Sequence, residues 1–329
     1  MDYRVQAGVL GTGSALPSRV LSNSDLERMV DTSDEWITTR TGIKERRIAE
    51  ANESTSDYAT LACQRALESA DVSPDEVDLI VCATVTPDTM FPATASLIQH
   101  KLGATRAAAF DLSAACSGFI YALSLASAYI ESGRYTKILV VAADLLSRIT
   151  DYEDRSTCVL FGDGAGAVLL GPADAQKGFL AFDLGSDGSG AEFLIQPAGG
   201  SRVPATIESV ESRLHFLRMS GQETFKFAVK AMVSATERVL SSAGMDVSDI
   251  DLLVPHQANI RIIEAARRKF DLVEEKVMVT IHKYGNTSSS SMAIALDEAV
   301  RAGRAKSGDL VVIVGFGGGL TWGAALLRL

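Results

Sequence analysis

Several things are scarce in this 329-residue chain, and each shortage excludes something. There are only four cysteines, Cys63, Cys82, Cys116 and Cys158. They show neither metal-ligand spacing nor a paired framework, so a reducing compartment, the cytoplasm, is expected. No stretch offers the ~18 consecutive apolar residues of a membrane span. The opening MDYRVQAGVLGTG lacks the charged-then-apolar design of a signal peptide. Positive charge is also short: 31 Lys and Arg face 41 Asp and Glu, a formal net charge of -10 and a pI near 5.0. That balance argues against a general nucleic-acid binder, though it permits local basic patches. Low-complexity sequence is missing too. What remains is 47% hydrophobic and 22% charged, enough for a large core in two domains or one double-sized unit.

Short runs rich in Val, Ile and Leu alternate with helical patterns: VDLIVCATV (77–85), ILVVAAD (138–144), AVLLG (167–171), IDLLVPH (250–256) and LVVIVGF (310–316). Runs that are apolar throughout predict strands covered on both faces, and the alternation predicts an α/β fold. A weak internal repeat is more telling. VDLIV at 77 returns as IDLLV 173 residues later, Gly133 as Gly303 after 170, and ILVVAAD as LVVIVGF after 172. Three segments in one order at nearly one offset imply two similar halves, 1–180 and 181–329, about a pseudo-twofold axis. The least patterned stretch, 185–212, reads as a surface excursion.

The repeat also organises the chemistry. Cys116, in DLSAACSGF, opens an apolar helix, and Asn286, in YGNTSSSS, stands 170 residues on. His256, in VPHQAN, follows a strand of the second half. Strand ends and helix starts of this kind can meet in one crevice. A helix N-terminus should favour the Cys116 thiolate and lower its pKa, and Ala114, Ala115 and Gly118 leave room for a substrate. Cys63, Cys82 and Cys158 read as core. Alone, Asn286 reads as a turn or cap. The glycines of GFGGGLTWG (315–323) would let backbone N–H groups reach a ligand. GTGSALP (11–17) lacks the third glycine of a nucleotide loop.

Taken in order, AACSGF, DRSTCVLFGDGAG, VPHQANIRI, YGNTSSSS, LDEAVRAGR and FGGGLTWG, with TSDEWITTRTGIKERRIA near the start, resemble the β-ketoacyl-acyl-carrier-protein synthase III family over essentially the whole chain. The resemblance implies the thiolase fold, two α/β halves in five α-β-α-β-α layers. It implies a Cys116-His256-Asn286 triad, with an oxyanion hole from the N–H groups of Cys116 and Gly318. The implied reaction joins a short acyl-CoA to malonyl-acyl carrier protein, with no permanently bound cofactor. Thr32, Trp36, Arg40 and Arg155 would hold the adenine end of CoA, and Gly221 and Asn259 the pantetheine tunnel. Phe91 would close the acyl pocket of a partner subunit, which implies a homodimer. Lys226, Arg261, Arg268 and Lys269 would form a basic face for the acidic carrier protein. Branched, longer or secondary-metabolite primers stay open, because 185–212 reads as longer than the simplest family members have. A degradative thiolase would need a second cysteine near the C-terminus, and none follows Cys158.

Overall fold

The structure, a computed structural model, describes residues 5–174 and 177–329. The strands of its two main sheets are β1 (Gln6–Ala15), β2 (Leu79–Ala83), β3 (Ala108–Leu112), β4 (Ile138–Leu145), β5 (Asp163–Ala173), β6 (Gly178–Ser186), β7 (Leu252–Pro255), β8 (Leu310–Gly317) and β9 (Thr321–Arg328). The main helices are α1 (Asp34–Thr41), α2 (Thr55–Ala70), α3 (Thr94–Leu102), α4 (Gly118–Glu131), α5 (Gly221–Ser242), α6 (Ile260–Lys269) and α7 (Ser290–Arg301).

One sheet runs β1-β5-β4-β2-β3 and the other β6-β9-β8-β7. In the first, β3, β2 and β4 are parallel while β5 and β1 are antiparallel neighbours. The second repeats this sense: β7 and β8 are parallel, β9 and β6 antiparallel. Among the described residues only β3 lacks a counterpart strand; a parallel bridge, Leu253 to Val277, stands in its place.

The layering follows from which faces are apolar. β2 and β4 are buried at every position, as strands covered on both sides must be. One core joins α4 and α7 to the inner faces of both sheets, through Leu79, Val140, Leu123, Leu296, Val254 and Ile313. A second lies on the outer face of the first sheet under α2 and α3, and a third on the outer face of the second under α5 and α6. The order is therefore helix, sheet, helix, sheet, helix. α4 is apolar nearly all round because it faces a sheet on each side. Its Phe119, Ile120, Leu123 and Ile130 are almost wholly buried, worth about 2 kcal/mol apiece in transfer free energy.

Two glycines set how close these layers come. A Cβ on Gly166 of β5 would lie 2.6 Å from the Ala293 Cβ of α7. A Cβ on Gly317, at the end of β8, would lie 2.5 Å from the backbone nitrogen of Cys116. No helix among the described residues is long and apolar enough to cross a membrane.

Candidate active site

Cys116 occupies a single 3-10 turn, Ala115–Ser117, that leads into α4. Ala115 before it holds φ at 48°, a left-handed backbone that costs a non-glycine residue free energy and recurs at functional sites. The turn is held from the opposite half. The Ser117 and Thr321 hydroxyls meet at 2.7 Å, and both reach the Ala114 carbonyl, at 2.8 and 3.0 Å. The nucleophile candidate is thus pinned to the glycine loop that follows β8.

His256 leaves the end of β7, its backbone N–H donating to the Val314 carbonyl at 2.8 Å. The ring is buried, edge-on to Phe316 at 5.3 Å, and its Nδ1 lies 2.8 Å from the Ser291 Oγ. The Gln257 N–H donates to that same oxygen at 3.2 Å. Asn286 sits just ahead of α7, its N–H donating to the Leu160 carbonyl and its own carbonyl accepting from Gly162 N–H, both at 2.9 Å. Its Oδ1 accepts from Ser288 N–H at 2.9 Å, which leaves the amide nitrogen as the end able to donate outward.

These three side chains converge. Cys116, His256 and Asn286 line one cavity of about 90 Å³, together with Gly221, Asn259, Phe225 and Phe316. A second cavity, of about 170 Å³, opens on the other side of Cys116. Its walls are chiefly apolar: Val85, Leu146, Ile149, Leu194 and Leu217, closed by Ala115, Ser288 and Gly318. Cys116, Phe161 and Leu194 border both spaces. Both spaces are largely apolar, His256, Asn286 and Asn259 bring hydrogen-bonding side chains to the first, and a thiol stands between the two.

The electrostatics depart from the sequence expectation of a lowered thiol pKa. Burial pushes the Cys116 thiol up to about 12; a Ser288 hydrogen bond works the other way, and the Asp144 carboxylate adds to the rise. Burial outweighs the helix N-terminus because the sulfur is almost sealed from water. Burial likewise holds the His256 imidazole down near 3. The resting pair is neutral thiol and neutral imidazole. Asp144 itself is raised to about 6 by burial, against hydrogen bonds from Val85 N–H, Thr84 and Thr86.

The remaining expected residues lie farther out. The Trp36 ring carries the guanidinium carbons of Arg40 and Arg155 at 5.0 Å each, within cation–π range. Asn259 joins this cluster to the inner cavity, its Nδ2 donating to the Arg40 carbonyl at 3.1 Å. Thr32 has a buried hydroxyl with no hydrogen-bond partner. Phe91 is 85% exposed and Met90 beside it 79%; neither lines the cavities at Cys116. Lys226, Arg261, Arg268 and Lys269 are exposed. Lys226 pairs with Glu223 at 3.0 Å and Arg268 approaches Glu264 at 3.9 Å. The 185–212 stretch is more than surface, since Leu194, Ile195 and Gln196 are part of the cavity wall.

Two supports went unseen in the sequence. Ser291 is one of four consecutive serines, and nothing in the letters distinguishes the one that faces His256. Arg46 is fully buried, donating to the Leu21 and Val159 carbonyls and the Asn23 Oδ1. It thereby holds the 159–162 segment against which Asn286 is bonded.

Residues 110–188 and 240–329 match the families described as 3-oxoacyl-[acyl-carrier-protein] synthase III and its C-terminal part. A β-ketoacyl-[acyl-carrier-protein] synthase III from Caldanaerobacter subterraneus is 56% identical over 328 residues, covering 100% of this chain and 99% of its own. A crystal structure of 3-oxoacyl-[acyl-carrier-protein] synthase III from Aquifex aeolicus has a TM-score of 0.91 at 50% identity, covering 98% of this chain and 100% of that one. The priming β-ketosynthase of the R1128 polyketide pathway has a TM-score of 0.91 at 41% identity, over 99% of this chain and 97% of that one.

Proposed function

Since the chain belongs to the 3-oxoacyl-[acyl-carrier-protein] synthase III family, condensing acyltransferases that begin fatty-acid synthesis, we propose that its primer is a short acyl-CoA, acetyl-CoA first, and its extender malonyl-acyl carrier protein. The reading rests most on one observation: Cys116, His256 and Asn286, from opposite halves of the chain, line a single cavity that abuts an apolar one. The N-terminal half, 1–180, supplies the nucleophile, and the C-terminal half, 181–329, the two hydrogen-bond donors.

The sulfur of Cys116 attacks the acyl-CoA thioester. Because burial disfavours separated charge, the thiol proton passes to the departing CoA sulfur as the acyl bond to Cys116 forms and the acyl bond to CoA breaks, and the His256 ring stays neutral with its Nε2 proton in place. The N–H groups of Cys116 and Gly318 face the oxyanion, and the acyl chain occupies the apolar cavity. Malonyl-acyl carrier protein then brings its pantetheine past Gly221 and Asn259. Loss of carbon dioxide develops negative charge on the thioester oxygen. No strong base is needed; two donors at that oxygen are. His256 and the Asn286 amide supply them, Ser291 donating to Nδ1 so that Nε2 carries the proton. The carbanion attacks the acyl-Cys116 thioester, releasing 3-oxoacyl-acyl carrier protein and the Cys116 thiolate, which takes a proton from solvent to restore the thiol.

In this reading acyl-CoA is a substrate and no resident cofactor is invoked. Trp36, Arg40 and Arg155 hold the adenine, with Thr32 alongside, one guanidinium giving up its place on the ring. Phe91 serves a partner subunit of a cytoplasmic homodimer; its exposure, and the open edge of β3, support this. A second reading, a primer from secondary metabolism, draws on the likeness to the R1128 priming enzyme. The test is mass spectrometry after incubation with single acyl-CoAs. An acetyl adduct on the Cys116 peptide, absent in Cys116→Ser, is expected. An adduct only with branched or longer acyl-CoAs would move the primer, and none with any would end the reading.

A further inference from the structure

A large cavity lies away from Cys116. It is a cleft of about 740 Å³ where the two halves meet, well within the size range of sites for organic ligands. Its floor is residues 8–13 of β1. Its walls are Pro172 and Ala173 at the end of β5, Asp174, Lys177 and Gly178, the last turn of α7 and the end of β9.

In a chain of net charge -10, five cations gather here: Arg65, Lys177, Arg301, Lys306 and Arg328. Two side-chain carboxylates face them, Asp174 and Asp297, and the terminal residue Leu329 lines the cleft as well. Asp297 is already neutralised within the wall. It is 1% exposed and accepts from the Thr12 and Ser14 hydroxyls at 2.9 and 2.5 Å and from Arg301 at 2.7 Å. Among the described residues the other four cations touch only neutral acceptors or none. Arg65 donates to the Ser14 carbonyl, Lys177 to the Ser307 hydroxyl and Arg328 to the Gly308 carbonyl. Among the described residues none of the four is in an ion pair. Beside them Leu10 and Val300 are 40% and 36% exposed, an apolar shelf next to a ring of positive charge.

We propose that this cleft binds an organic polyphosphate of nucleotide size, its phosphates on Arg65, Lys177, Lys306 and Arg328 and its apolar part on Leu10 and Val300. Four separated cations call for several negative charges on one ligand, which suits a polyphosphate and not a single carboxylate. The shelf calls for a base or ring that inorganic polyphosphate lacks. The cleft sits at the C-terminal end of α7, whose first turn presents Ser291 to His256, so its ligand rests on the helix that orients the ring.

The probes are ATP, sodium tripolyphosphate and adenosine, measured by titration calorimetry on the full chain. The background is Trp36→Ala, which removes the ring we assign to the adenine of CoA, so binding in the cleft is read apart from that assignment. ATP is expected to saturate one site, with tripolyphosphate and adenosine each at least about tenfold weaker. Adding Lys177→Glu and Lys306→Glu should weaken ATP about tenfold per reversal. Both lysines are exposed, so an unchanged melting temperature should show the fold intact. No saturable ATP binding in Trp36→Ala, or binding indifferent to the two reversals, overturns the proposal. Equal affinity for ATP and tripolyphosphate overturns its apolar half.

Discussion

At Cys116 the useful quantity is the proton. With the thiol raised to about 12 and the imidazole lowered to about 3, neither group titrates between pH 5 and 9. Alkylation of the free enzyme by iodoacetamide should therefore climb about tenfold per pH unit through pH 9. A plateau near pH 7 would mean a preformed thiolate and imidazolium. Asp144, ionised above about 6, stands against the thiolate, so Asp144→Asn should speed alkylation at pH 8 by a few-fold, on the order of half a pKa unit. Asn can still accept from Val85 N–H and the two threonines, so the network should survive. Cys116, His256 and Asn286 were legible as candidates because bare small residues, a strand end and a glycine turn set them apart. The direction of the thiol shift was not legible, since helix position is written in the sequence and burial is not. Arg46 was hidden inside a quoted motif. Burial lowers its pKa to about 10, so it stays charged at neutral pH. Arg46→Met should cost about 3 kcal/mol by leaving buried carbonyls without donors, seen as a lower denaturation midpoint.

Among the elements, the strands read from sequence were those buried on both faces. VDLIVCATV contains β2, ILVVAAD begins β4 and LVVIVGF begins β8. The strands β1, β6 and β9 escaped because glycine and alanine dilute their pattern; β1 is QAGVLGTGSA. What the dilution provides is close approach. Gly166→Ala would drive a methyl into α7 and should destabilise by about 1–3 kcal/mol through overpacking, read as a lower melting temperature. Gly317→Ala presses instead on the Cys116 turn. A displacement there worth about 1–3 kcal/mol should slow adduct formation roughly 10- to 100-fold, with unaltered melting if the turn alone gives way. The helix α7 held a further surprise. Its Asp297 is buried against Thr12 and Ser14 of the other half, a polar tie across the chain that an apolar pattern cannot announce.

For the molecule as a whole, the charge that matters is local. Arg261 begins α6 beside the cavity lined by Asn259 and Phe225, its guanidinium 5.9 Å from the Phe225 ring. Arg261→Glu should raise KM for malonyl-acyl carrier protein about tenfold and leave acetyl-adduct formation from CoA unchanged. Equal kinetics with carrier protein before and after reversal would remove this face from docking. The repeat was legible because both halves keep the same buried strands. The inequality between them was not, because a strand that is missing leaves no letters. Where the first sheet goes on to β3, the second has only the Leu253–Val277 bridge. The chain released there turns back through Tyr284 and Gly285 and delivers Asn286 to the cavity. In evolutionary language, a gene that doubled would begin with two equivalent mouths, each half-equipped. On such a history, giving up one strand in one copy would break that tie, and the two copies would come to share one mouth in place of two.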